Sequence, residues 1–210
     1  MENIKKLVEN GAKVNMKNLY GDSPLTISCE KENIESIKYL IEKRANTNIC
    51  NSTGSSLLNI LCKNNSINSL KIINYLVVEM GVDINSIDEN NINPLLTLCY
   101  FNNEELLNDI IKNHKENINM NIQNIYKDTS LIISGYFSHG KIIENLEKEG
   151  ANIALTNKYG ETLNTIAKNI KNKKIIKYLE NLKNRKLFII IIIIIIIIII
   201  IILFRKFEKP

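Results

Sequence analysis

The sequence is poor in the residues from which most enzyme sites are built. Its 210 residues contain two histidines, eight glycines, three prolines and no tryptophan. No Cys/His, Ser/His/Asp or paired-carboxylate arrangement recurs near His114 or His139. The phosphate-binding patterns GxxxxGK[ST] and GxGxxG are also missing from the sequence. We therefore expect a protein that is not an enzyme and that uses no cofactor.

Metal binding and disulfide bonding are equally poorly supported. The four cysteines include no C-x-x-C pair, which is the clustering that zinc sites need. The N-terminal sequence MENIKKLVENGAKVN has no apolar core of secretory-signal length. Together these features predict reduced thiols in the cytosol and no metal site.

Positive charge is concentrated near the C-terminus. The formal net charge is +5 and the pI is about 8.9, yet residues 171–186 alone hold seven Lys and Arg against one Glu. Nucleic-acid binding would require basic residues spread over a face of the domain, so we do not expect it. Asparagine is abundant, with 33 copies, and its A/T-rich codons make any single exposed Asn weak evidence of a site.

The sequence repeats itself at intervals of 33, 37, 36 and 33 residues. The repeated position is a helix-capping residue followed by an apolar run, and the five copies are Ser23, Ser56, Asn93, Thr129 and Thr162. Each offers a side-chain oxygen to the free N–H groups of a helix start, and Pro24 and Pro94 suit the first helical position. Eight residues earlier, each copy closes a segment of the type GAKVN. A second apolar stretch follows each first helix, so the pattern predicts stacked helix–turn–helix units.

These features resemble ankyrin repeats. The resemblance rests on the 33-residue period, the hydroxyl–Pro–Leu start of GDSPL and the GAKVN-like close, and it covers about residues 1–186. It implies an all-α solenoid of about five repeats, the first one incomplete, with boundaries near 21, 54, 91, 127 and 160. The family's T-P-L-H tetrapeptide never appears with its histidine. Extra residues are expected near Asn64–Leu70 and Lys112–Glu116.

The resemblance also implies that loop tips and first helices line a partner surface. Tyr20, Tyr126 and Tyr159 come immediately before the turns, and tyrosine is favoured at interfaces. The alternative is that each simply packs on the neighbouring loop. Beside them, the charged candidates for partner binding are Lys17, Asp88, Glu89, Lys127 and Lys158.

Three cysteines share one register in the first helices. Cys29, Cys62 and Cys99 stand where the resemblance expects a small packed residue. Cysteine behaves as a small hydrophobe, so we expect these three to be buried. Cys50 falls in a loop, where we expect it to be the accessible thiol.

The C-terminal part contains the apolar run of residues 187–204, followed by the short basic tail of residues 205–210. As an α-helix, the apolar run would be about 27 Å long at 1.5 Å per residue, which is close to the roughly 30 Å hydrocarbon core of a bilayer. The segment from Leu187 to Phe204 therefore predicts a transmembrane helix. The basic flank before it predicts that the repeat domain stays in the cytosol.

Three interpretations of function remain open. The chain is an ankyrin-type scaffold or adapter for an unidentified protein partner, or the same module anchored in a membrane. Alternatively, it is a cytoplasmic or fragmentary product whose poly-Ile run is a low-complexity accident. The first apolar helix has no partner helix before it in the sequence, which fits a piece of a longer array.

Overall fold

The computed structural model describes residues 2–64 and 66–207, with side chains up to Ile201. No β-strand occurs in these residues, so the predicted all-α fold class is confirmed. The tail of residues 205–210 lies outside the described side chains. The helices are α1 (Glu2–Glu9), α2 (Pro24–Glu30), α3 (Ile34–Glu42), α4 (Leu57–Asn64), α5 (Ile67–Asn74), α6 (Pro94–Tyr100), α7 (Glu104–His114), α8 (Ser130–Tyr136), α9 (Gly140–Lys148), α10 (Leu163–Asn169) and α11 (Lys173–Phe207).

The first helix of each pair begins at the residue that the sequence predicts. At all five positions the side-chain oxygen accepts a hydrogen bond from the backbone N–H three residues later, at 2.8–3.3 Å. Ser23 and Thr162 form full capping boxes with Thr26 and Thr165. Each cap stabilises its helix by about 1 kcal/mol, which explains why such short helices form in register.

The helix pairs stack on one another in chain order. Helix α2 contacts α4, α4 contacts α6, α6 contacts α8 and α8 contacts α10, while α5 contacts α7 and α7 contacts α9. One apolar cluster runs through the stack, from Leu25 in α2 to Leu179 in α11. Because every pair buries its apolar side chains against a neighbouring pair, no unit has a core of its own.

The three cysteines in register are fully buried, as expected. Cys29, Cys62 and Cys99 have no exposed surface, and each belongs to the apolar cluster. Cys50 is half-buried and pairs with Ser56 in an isolated β-bridge. The shared register therefore has a packing explanation.

The extra residues of the second unit lie in a different place from the one expected. The N-cap of α5 is Ser66, ten residues after Ser56, which is the same spacing as in the first unit. The insertion is instead accommodated beyond α5, where Tyr75–Glu79 form a π-helical segment. The expectation of an insertion near Asn64–Leu70 is therefore wrong. A π-helical turn holds extra residues without breaking the helix, a geometry that sequence periodicity does not indicate. The expectation near Lys112–Glu116 is correct, since α7 is lengthened to His114.

Asparagine has a structural use in every inter-pair loop. One residue of each loop accepts backbone N–H groups from positions two and four residues later, at 2.8–3.1 Å. These residues are Asn18, Asn51, Asp88, Asn124 and Asn157. Such contacts mimic a backbone turn, so the abundance of Asn is not only a matter of codon bias.

A second set of asparagines links successive loops. The side-chain oxygens of Asn15, Asn85 and Asn121 accept the backbone N–H groups of residues in the next loop, at 2.7–2.8 Å. These are contacts between residues more than 30 positions apart. They hold the loops in a row beside the stacked helices.

We expect Asn51→Ala to lower the free energy of unfolding by about 1–3 kcal/mol, because two backbone N–H groups lose their acceptor. Asn51→Asp should retain most of the stability, since Asp88 fills the same role in the next loop. The exposed Asn68 on α5 provides the control, and Asn68→Ala should change the free energy by less than about 0.5 kcal/mol. Urea unfolding followed by circular dichroism measures all three. Equal losses for Asn51→Ala and Asn68→Ala would contradict this role.

The last helix belongs to the repeat stack at its start and leaves it without a break. Ile175, Leu179 and Leu182 are buried at intervals of four and three residues, as expected for one face of a helix. Glu147 of α9 accepts a hydrogen bond from the Tyr178 hydroxyl and pairs with the Lys186 ammonium at 3.4 Å. Beyond this point α11 continues as a helix to Phe207.

Candidate partner-binding surface

The candidate loop residues fall into three separate groups. Lys17 and Tyr20 lie in the first loop, where the Lys17 ammonium reaches the carbonyl oxygen of Cys50 at 3.4 Å and Tyr20 is 80% exposed. Glu89 lies in the third loop, exposed, with its backbone N–H donating to Gly54 at 3.2 Å. These two groups do not meet the tyrosines further along the chain.

Tyr126, Lys158 and Tyr159 form one cluster across two neighbouring loops. The Lys158 ammonium lies 4.0 Å from the ring centre of Tyr126 and 5.0 Å from that of Tyr159. The Lys158 backbone N–H also donates to the Tyr126 carbonyl at 2.9 Å. Cation–π contacts of this kind join the loops, while both rings remain exposed. Lys127 is exposed next to this cluster and has a left-handed backbone, with φ of 58°.

Asp88 occupies the interior, unlike the other candidates. It is 7% exposed. One carboxylate oxygen accepts from the backbone N–H groups of Asn90 and Ile92, and the other from the Asn59 amide at 2.9 Å. Both oxygens of this carboxylate already accept hydrogen bonds within the domain, so its role is to close the loop. We therefore exclude Asp88 from the contact surface proposed below.

Next to the tyrosine cluster is an aromatic groove that loop-tip reasoning missed. It has a volume of about 430 Å³. The aromatic groove is the space bounded by α4, the ends of α6 and α8 and the loops beside them. Its aromatic wall consists of Tyr100, Phe101, Tyr136 and Phe137, whose side chains are 41–54% exposed. Tyr126 also lines the groove. It is therefore the one exposed candidate that belongs both to the cluster with Lys158 and Tyr159 and to the groove.

The four aromatic residues come from a repeated dipeptide. Tyr-Phe stands at residues 100–101 and again at 136–137, at the end of the first helix in two successive units. The Tyr100 ring packs edge-on against Phe101 at 5.2 Å and against Phe137 at 5.0 Å between ring centres. This 36-residue recurrence was a signal in the sequence that could have located the groove.

Tyr136 is held in place by its hydroxyl. The hydroxyl donates to Glu161 at 2.7 Å and accepts from the Asn157 amide at 2.9 Å. Burial, together with the hydrogen bond to Glu161 and the charge of its carboxylate, raises the pKa of Tyr136 to about 12. Hydrogen bonds from the Tyr136 hydroxyl and, at 3.1 Å, from the Asn157 amide lower the pKa of Glu161. The ring edge is thus fixed, and the exposed ring face points to a stable contact surface rather than to proton transfer.

The two histidines have structural partners. His114 is buried beside the Asn74 amide oxygen at 2.8 Å, and burial lowers its pKa. His139 stands at the N-cap position of α9, where its Nδ1 lies 2.9 Å from the Cys99 carbonyl oxygen and its ring stacks on Phe137. Across the described ranges no group of three His, Cys, Asp or Glu is arranged to hold a metal ion.

The fold and this surface define a helix-pair repeat protein with a continuous stacked core. Comparison with known families identifies residues 1–88 as ankyrin repeats in three copies, which confirms the resemblance for that part of the chain. Ankyrin repeats are typically binding scaffolds rather than catalysts. The chain is also 31% identical over 101 residues to alpha-latrotoxin-Lg1a of Latrodectus geometricus. That alignment covers 48% of this chain and 7% of the toxin.

Proposed function

We propose that the protein is an ankyrin-type protein-interaction module anchored to a membrane by its C-terminal helix. Residues 1–186 form the interaction domain, with repeat boundaries near 21, 54, 91, 127 and 160. Residues 187–204 are the membrane span. A partner protein contacts the exposed loop tips and first helices on the side of the aromatic groove. The exposed candidates retained there are Lys17, Tyr20, Glu89, Tyr126, Lys127, Lys158 and Tyr159.

The observation that carries the anchoring is the unbroken course of α11 from the repeat core into the apolar segment. Lys173–Ile201 is a candidate membrane span by length and composition, with a mean hydropathy of 3.0 in its most apolar window. None of that window is buried against the rest of the protein. Full burial of an exposed isoleucine side chain is worth about 1.5–3 kcal/mol, and the described isoleucines of this segment are 40–55% exposed. A bilayer supplies that burial without any contact from the repeat domain.

Charge on the two sides of the segment supports one orientation. Residues 171–186 carry seven Lys and Arg, and the few residues after the span carry three. Basic residues favour the cytoplasmic side of a span, so the interaction domain is assigned to the cytosol. Since α11 joins the domain without a linker, the domain is held close to the lipid headgroups.

We expect the full-length protein to stay in the membrane pellet after carbonate extraction, and the variant lacking residues 187–204 to be released. Ile195→Arg combined with Ile196→Arg should also release it, because each arginine at a span centre costs about 2.5–3.5 kcal/mol. Asn164→Arg combined with Asn181→Arg adds the same charge at exposed positions outside the span and should leave the protein in the pellet.

Protease treatment of intact vesicles tests the orientation in the same preparation. The repeat domain should be digested, because it faces the cytosolic side. A protein extracted by carbonate would favour the alternative, in which the poly-Ile run is an accident without an anchoring role. A repeat domain protected from protease would overturn the assigned orientation.

A further inference from the structure

Two residues that line the aromatic groove each have a buried acceptor atom with no hydrogen-bond partner among the described residues. These atoms are Oδ1 of Asn59 and Oδ1 of Asp128. Buried polar atoms are paired in the great majority of cases, because an unpaired one costs about 1–3 kcal/mol. Two in the wall of one groove indicate that donors arrive with a ligand.

The orientation of the Asn59 amide is fixed by its neighbours. Its Nδ2 donates to the Asp88 carboxylate at 2.9 Å and to the Ile92 carbonyl at 2.7 Å. A rotated amide would place its oxygen against these two acceptors, so Oδ1 is the atom left without a donor. Asn59 is 1% exposed, so Oδ1 has no hydrogen bond to bulk solvent either.

Asp128 brings a negative charge to the far side of the groove. Its Oδ2 accepts a 3.4 Å hydrogen bond from the Asn124 amide, which leaves Oδ1 unpaired. Neither nearby lysine is in an ion pair with Asp128, because the Lys63 ammonium donates to Ser55 at 2.8 Å and Lys158 lies over the Tyr126 ring. The wall therefore combines an excess of acceptors with exposed aromatic faces, which suits a cationic group beside an apolar one.

The two acceptors are separated by a whole helix pair. Asn59 is on α4, Asp128 precedes α8, and α6 lies between them in the stack. A single ion or a small amine does not span that separation, whereas an extended chain does. A peptide backbone supplies N–H donors along its length, and its side chains supply the cation and the apolar contacts.

We propose that the aromatic groove binds an extended segment of a partner protein that carries Lys or Arg beside an apolar residue. The cation pairs with Asp128, a donor of the segment reaches Asn59, and the apolar side chain packs on Tyr100 and Phe137. This inference rests on the proposed interaction function and specifies the ligand class of that surface.

A random 12-residue peptide display library, selected on the full-length protein in detergent micelles, is the test. Retained peptides should be enriched in Lys or Arg within a few residues of an aromatic or aliphatic residue. For the best peptide, replacing arginine by citrulline, which removes the charge at nearly constant shape, should weaken binding about ten-fold or more.

Matched variants locate the binding. Asp128→Asn keeps an acceptor for Asn124 and removes the charge, so affinity should fall about ten-fold. Asp109→Asn, on the exposed face of α7, makes the same change elsewhere and should leave affinity unchanged. Phe137→Ser should weaken binding, whereas Ile67→Ser, at an exposed position of α5 outside the groove, should not. Circular dichroism confirms that each variant is folded.

The outcomes separate this proposal from the general function. Peptides retained equally by wild type and Asp128→Asn overturn the cation-binding groove and leave the interaction module in place. Retained peptides that contain no basic residue would likewise overturn the cation-binding groove and leave the interaction module in place. If the wild type retains no peptide, both the groove and the interaction function of this surface are overturned, while carbonate extraction still decides membrane anchoring.

Discussion

Leu58→Asp is expected to lower the free energy of unfolding by more than about 3 kcal/mol, whereas Leu7→Asp should change it by less than about 0.5 kcal/mol. Leu58 lies in α4 at the middle of the stack and is 1% exposed. The substitution removes buried apolar contacts and places a carboxylate inside the apolar cluster. Domains of this kind have about 5–15 kcal/mol of stability in total, so the variant should be largely unfolded in mild denaturant.

Leu7 is the control because it has the same side chain at the edge of the stack. It is 63% exposed, and none of the described residues of α1 is buried. Urea unfolding of the full-length protein in micelles, followed by circular dichroism, measures both variants against wild type. Similar losses at the two positions would argue against a stack in which neighbouring pairs complete each other's core.

Alkylation of the four thiols is expected to differ by at least about a hundred-fold in rate, with Cys50 reacting first. The thiolate is the reactive form. Burial is the main cause that raises the pKa of Cys29 and of Cys99 to about 12, and burial also raises that of Cys62. At pH 8 a thiol with a pKa near 12 is ionised to about one part in ten thousand.

Access adds a second barrier for the three buried thiols. Their sulfur atoms are covered by neighbouring helices, so a reagent must wait for local opening of the stack. Cys50 also has a raised pKa from burial, but it is only half-buried in a loop. Iodoacetamide labelling followed by peptide mass spectrometry gives the four rates, and all four thiols should react alike in 6 M guanidinium. Rapid labelling of Cys62 in the folded protein would refute its packing role.

Asparagine shows where sequence reasoning stopped short. The codon bias of the gene is a sound reason to distrust any one Asn, yet the loop residues from Asn18 to Asn157 recur with the same spacing as the helix caps. Asp88 stands in that series, and its place there explains why it is buried rather than presented at a loop tip. From sequence alone, a charged residue in a turn is predicted to be exposed. Only the structure shows whether its side chain accepts hydrogen bonds from the backbone N–H groups around it.

The groove shows the same limit in another form. The Tyr-Phe dipeptides at residues 100–101 and 136–137 recur in the sequence, but they stand at helix ends and not at the loop tips where partner contacts were predicted. Whether they form a groove depends on how close α6 and α8 lie to each other. The Tyr100 and Phe137 ring centres are 5.0 Å apart. No pattern within either helix contains that distance.

The sequence by itself determined the helix starts, the repeat register, the small buried position held by Cys29 and the apolar C-terminal helix. These features depend on contacts within a few residues or on composition, so they can be read along the chain. Only the tertiary structure decided the π-helical segment at Tyr75–Glu79, the burial of Asp88, and the unpaired acceptors on Asn59 and Asp128. Each of these arises because stacking brings together residues that are far apart in the chain, such as Asn59 and Asp88, or constrains how an insertion is absorbed. Neither effect leaves a local pattern.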